Sequence, residues 1–217
     1  MILKTFGCSN TKGAELKNRS ISAWPVLLGK KLNMLVKNYG SAGASNDHII
    51  KDSIEKSPKT EKSLIIIMTT HPARVYWPVL DESYLFFVSL PFSSISHPSL
   101  RPQGGRTYKS WLKYHFNLES TIRYQRIQFK WCKELLESRG HTVYMFNWES
   151  YSNGDKEITE ENLTKKQIKF SIVENKTKTM NDICQDKPKG KGHHFLEDAQ
   201  EVWANYVYKI INQDKIK

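Results

Sequence analysis

The stretch "SLIIIMT" at 63–69 holds five large apolar residues in a row, Leu64 to Met68. A half-exposed strand alternates apolar and polar residues, whereas an unbroken apolar strand has no face to offer water and needs cover on both sides. The run is far too short to cross a bilayer, as is "YLFFV" at 84–88. It therefore predicts a strand inside a parallel sheet with helices packed above and below.

The flanking segments fit that reading. "ILKTF" (2–6), "MLVKN" (34–38) and "TVYMFN" (142–147) have strand composition, and "IKFSIV" (168–173) is a further candidate. "SAWPVLLGKKLN" (22–33) sets Trp24, Leu27, Leu28 and Leu32 on one helical face, with Pro25 in the first turn, where its missing N–H costs nothing. A second helix is expected from about Asn46, with Ile49, Ile50 and Ile54 inward. A long helix, or two in succession, is expected over 108–139, with Trp111, Leu118, Ile122, Phe129, Cys132 and Leu136 recurring at threes, fours and sevens before Gly140 stops it. The last helix spans about 196–211, burying Ala199, Val202, Trp203, Tyr206, Val207, Ile210 and Ile211. Residues 72–106, with five prolines and a Gly104–Gly105 pair, read as a long irregular insertion, and 150–192 as a polar, lysine-rich one. The whole chain, 1–217, reads as a single α/β domain.

A formal net charge of +11 fits either a lysine-rich solvated surface or a polyanionic partner such as nucleic acid, although no compact basic run occurs. Cys8, Cys132 and Cys184 have neither zinc-like spacing nor an even count, so they predict free thiols in a reducing cytoplasm and no metal or cofactor site. The amino terminus, "MILKTFGCSN", lacks the long apolar core of a secretory signal. No membrane association is expected.

In open parallel sheets, ligands gather at the carboxyl ends of the strands. Ser9, the loop 39–46 and Thr69–His71 each follow a predicted strand and share that edge. Ester hydrolysis by serine needs a hydroxyl, a base within hydrogen-bond reach and N–H donors for the oxyanion. Ser9 offers the hydroxyl, and the backbone N–H groups of Ser9 and Gly43 offer donors in a loop of small residues. A base is available from the pair His193–His194 if its Gly-rich loop folds over the same edge. Taken singly, Ser9 and Gly43 are ordinary turn residues and His194 an ordinary helix-entry residue.

Their order is more telling. "FGCSNTKG", "NYGSAGASND", "LIIIMTTH" and "GHHFLEDAQEVWANYV" resemble the successive blocks of the SGNH hydrolase superfamily, the GDSL-type esterases and lipases. The resemblance runs from residue 2 to about 211 and leaves 72–106 and 150–192 as family-variable insertions. It is nearest to a branch with Gly-Cys-Ser in its first block and a Trp-Pro helix after it, as in "SAWPVLLGKKL". The resemblance implies a three-layer α/β/α sandwich with a mostly parallel, flavodoxin-like central sheet. It also implies ester hydrolysis, with acetyl groups on a carbohydrate as one substrate class and no cofactor. Ser9 takes the place of the nucleophile, Gly43 that of the second-block glycine, and His194, nine residues ahead of Trp203, that of the general base. A shift of one residue would substitute His193.

Two positions depart from the pattern. Thr70 stands where the family has an oxyanion-hole asparagine, and losing such a donor typically costs about a hundred- to a thousand-fold in rate. Lys191 stands where an aspartate normally precedes the histidine by three residues, and a lysine cannot accept the imidazole N–H. Asp186, Asp198 or a backbone carbonyl are the expected substitutes. His71 and Arg74 are candidate pocket residues, with Arg74 suited to a carboxylate or phosphate; His48 reads as a surface residue. The departures leave open a second function, a catalytically impaired module of this type that binds glycan or nucleic acid.

Overall fold

A computed structural model describes residues 1–72, 74–81, 84–90, 118–148, 151–152, 169–170, 172–173, 177–191 and 194–215. In chain order the elements are β1 (Ile2–Phe6), α1 (Ser9–Lys12), α2 (Arg19–Ser22), α3 (Trp24–Leu32), β2 (Leu35–Asn38), α4 (Asn46–Glu55) and β3 (Ser63–Met68). They continue with β4 (Val75–Asp81), β5 (Tyr84–Leu90), α5 (Leu118–Ser138), β6 (Thr142–Phe146), β7 (Tyr151–Ser152), β8 (Lys169–Phe170), α6 (Met180–Cys184) and α7 (Glu197–Lys215).

Four strands form a parallel sheet in the order β2-β1-β3-β6. All six residues of β3 are buried, as its unbroken apolar run requires. Its side chains alternate between two cores. Leu64, Ile66 and Met68 pack with Trp24 and Leu28 of α3 and with Trp203, Val207 and Ile211 of α7. Ile65 and Ile67 pack with Ile49 and Ile50 of α4 and with Ile122, Phe129, Cys132 and Leu136 of α5. This is an α/β/α sandwich, with α3 and α7 on one face and α4 and α5 on the other. The chain steps from β1 outward to β2 and then back across to β3. The switch point of the topology therefore lies between the carboxyl ends of β1 and β3.

Among the described residues, one lysine lies inside. Lys4 of β1 is 1% exposed, and its ammonium donates to the Lys56 carbonyl (2.9 Å) and pairs with Glu61. Lys4 first, and then Lys37, hold the Glu61 carboxyl below its ordinary value.

The segment 72–106 departs from expectation in its first part. Rather than irregular, it is an antiparallel hairpin with Val75 opposite Leu90 and Asp81 opposite Tyr84. The residues are strong strand formers, and Pro78 is tolerated because both strands of a two-stranded ribbon are edges. The remainder of that segment from residue 91, and the start of the 108–139 helix with Trp111, lie outside the described residues. Of the expected strand 168–173, Lys169–Phe170 form β8, which pairs antiparallel with β7 apart from the main sheet, and residues 172–173 are not in a strand. Three short helices were not expected: α1, α2 and α6. The last has a legible signal, a capping box in which Thr179 and Asp182 satisfy each other's backbone N–H groups.

Candidate active site

Ser9 is placed by a turn with little freedom. At Gly7, any Cβ would lie 2.2 Å from Thr11 Oγ1, so only glycine fits behind β1. Cys8 is extended and caps α1; Gly13, at φ +79°, closes it by donating to the Ser9 carbonyl. Ser9 thus stands at the first position of α1, 4% exposed, where the helix leaves its N–H without an intrahelical acceptor. Among the described residues no hydrogen bond holds its hydroxyl.

The loop 39–46 is fastened to this turn. Ser41 N–H donates to the Gly7 carbonyl (3.0 Å), Asn38 Nδ2 to the Thr11 carbonyl (2.8 Å), and a Cβ at Gly40 would lie 2.4 Å from the Lys12 nitrogen. Gly43 follows at φ +76°, a conformation that favours glycine, and its N–H has no acceptor among the described residues.

The loop after β3 is held by a residue that sequence reasoning passed over. Asn46, wholly buried, donates from Nδ2 to the Thr70 carbonyl (3.0 Å) and to Gln125 Oε1 (2.9 Å). Its Oδ1 accepts the Thr70 N–H (2.8 Å). Thr70 is 1% exposed, and its backbone groups are occupied by this amide. Replacing Asn46 with alanine should cost about 2–4 kcal/mol in urea unfolding, since several buried groups lose partners at roughly 1–3 kcal/mol each. A loss under about 0.5 kcal/mol would contradict that role.

The carboxy-terminal loop docks on the same rim. Phe195 N–H donates to Asn10 Oδ1 (3.1 Å), so the residue after Ser9 holds the residue after His194. Lys17 N–H donates to Glu197 Oε1 (3.0 Å). The His194 ring reaches the amino-terminal loop directly: Nδ1 lies 2.8 Å from Glu15 Oε2, which also accepts the His194 backbone N–H at 3.2 Å. The carboxylate at His194 is therefore Glu15. Asp186 is exposed beyond α6, and Asp198 is exposed in the first turn of α7. No residue spacing announces Glu15, because the pair is 179 positions apart.

His193 lies outside the described residues. His71 and Arg74 are half-buried after β3, where Arg74 N–H donates to the His71 carbonyl (3.1 Å). His48 is partly buried on α4, 3.6 Å from Asp52. Among the described residues, no three of His, Cys, Asp or Glu cluster as metal ligands, and no helix is long and apolar enough to cross a membrane.

The fold has counterparts among solved structures. A member of the lipolytic protein G-D-S-L family from Veillonella parvula matches with a TM-score of 0.51 at 13% identity, covering 98% of each chain. The fold is that of the GDSL lipolytic proteins. A lipase/acylhydrolase from Enterococcus faecalis matches with a TM-score of 0.52 at 13% identity, over 99% of this chain and 97% of the other. No family model matches the sequence, and no curated relative does. The likeness to GDSL proteins is thus one of fold, carried by the sheet and its helices.

Proposed function

We propose that this protein is a serine-dependent ester hydrolase, with Ser9 as nucleophile and His194 as general base. The observation that carries the reading is the docking of residues 194–197 on residues 10–17, which joins the two ends of the chain beside the switch point of the sheet. In the first step Ser9 Oγ attacks the ester carbonyl carbon while its proton passes to His194 Nε2. The tetrahedral intermediate then collapses, its ester C–O bond breaks, and the imidazolium returns the proton to the departing alcohol. Water attacks the acyl-serine in the same manner, giving up a proton to His194, and releases the acid and the Ser9 hydroxyl. The N–H groups of Ser9 and Gly43 are suited to stabilise the oxyanion, with the Thr70 hydroxyl as a weaker third donor. A short acyl ester, such as an acetylated carbohydrate, is the proposed substrate class.

The test is hydrolysis of p-nitrophenyl acetate by the purified full-length chain. Turnover above the buffer rate is expected, and a rate equal to buffer overturns the reading. Thr70 and the net charge of +11 favour one other reading, a non-hydrolytic module for glycan or nucleic acid. That reading requires no turnover together with ligand-induced thermal stabilisation, and for nucleic acid an affinity falling steeply with salt.

A further inference from the structure

We propose that Glu15 is the positioning residue of this site: it fixes the ring of His194 and selects its tautomer, the role that Lys191 cannot fill. The proposal rests on the hydrolase reading above. Glu15 Oε2 meets both the ring Nδ1 and the backbone N–H of His194, at 2.8 and 3.2 Å, so one carboxylate oxygen fixes the residue and its ring together. An ionised carboxylate only accepts hydrogen bonds, so the shared proton sits on Nδ1 and the Nε2 lone pair is left to act as base. Its negative charge also stabilises the imidazolium formed when Ser9 loses its proton.

Two features of the backbone support this role. Glu15 holds φ +65°, a left-handed conformation that is unfavourable for a side-chain-bearing residue and that glycine would adopt freely. Such strain persists where surrounding structure over-determines it, commonly at functional sites. On the facing loop, a Cβ at Gly190 would lie 2.8 Å from the Glu15 carboxyl, and Gly190 N–H donates to the His194 carbonyl (2.8 Å). Glycine at 190 therefore leaves the space that the carboxylate occupies while closing the loop that carries His194.

The experiment uses the full-length chain and the p-nitrophenyl acetate assay. Glu15→Gln should lower kcat about 10²- to 10⁴-fold with KM within about two-fold, and should add no further loss to His194→Ala, because its effect passes through that ring. ¹⁵N NMR of the imidazole should place the neutral-form proton on Nδ1 in the wild type and shift it toward Nε2 in Glu15→Gln. Gly190→Ala, which displaces the carboxylate without removing it, should lower kcat in the same direction and serves if Glu15→Gln does not fold. Full turnover in Glu15→Gln while Ser9→Ala and His194→Ala are inactive would overturn the proposal and leave the hydrolase reading standing. If the wild type shows no Ser9-dependent turnover, the hydrolase reading fails; the wild-type tautomer still decides the proposal, a proton on Nε2 refuting it.

Discussion

Ser9→Ala should reduce p-nitrophenyl acetate turnover at least about a thousand-fold while leaving the folded protein intact. The hydroxyl is the atom that becomes acylated, so its loss removes the covalent route and leaves only binding and oxyanion donors. In serine hydrolases that residue of catalysis lies about a thousand-fold or more below the intact enzyme. The fold should tolerate the change, because among the described residues no hydrogen bond depends on Ser9 Oγ and alanine keeps the Cβ. A thermal midpoint near that of the wild type would therefore assign the lost rate to chemistry. Comparable rates in the two proteins would remove Ser9 from the mechanism.

The second large effect concerns stability. Trp203→Ala should destabilise the protein by about 3–5 kcal/mol, the usual cost of emptying an aromatic site in a close-packed core. Trp203 is fully buried on α7, edge-on to Phe146 of β6 (5.5 Å between centroids) and stacked against Tyr206 (5.4 Å). The thermal midpoint should fall by roughly 6–20 °C for a chain of this size. Trp203→Phe should cost well under half as much, because the indole N–H is buried with no partner among the described residues and its removal relieves a desolvated donor. A small effect of the alanine variant would mean that α7 is not held by this contact. Phe195 enters the same core immediately before α7, so this packing also supports the loop that carries His194.

The sandwich was legible because its core elements are periodic. Leu64 to Met68 declared a strand covered on both faces, and Trp24, Leu28, Ile49, Ile50 and the Ala199–Ile211 stripe declared the helices that cover it. The five prolines of 72–106 obscure the hairpin at 75–90, yet proline is excluded from interior strands and not from a ribbon of two edges, where Pro78 sits. Helix α6 is too short for apolar periodicity, and only its Thr179–Asp182 cap marks it.

The placement of the candidate residues was legible where strand order dictates it. Ser9 and the 39–46 loop follow strands of known direction, so their common edge needed no knowledge of side-chain packing. Asn46 and Glu15 were not legible, for a physical reason. Each acts through a contact between loops remote in the chain, Asn46 with Thr70 and Gln125, and Glu15 with His194. An asparagine at the start of a helix is also what ordinary capping chemistry would place there, so nothing local distinguishes Asn46 from a cap. Glu15 sits in a polar turn, where an acidic residue is unremarkable until its φ and its partner are seen.

Whether the hydroxyl at position 9 is activated as a nucleophile can be read most directly by treating the full-length protein with a fluorophosphonate and mapping the adduct by peptide mass spectrometry. A single phosphonyl adduct on Ser9, formed much more slowly in His194→Ala, is the expected result. An unlabelled protein, or an adduct confined to another residue, would contradict it.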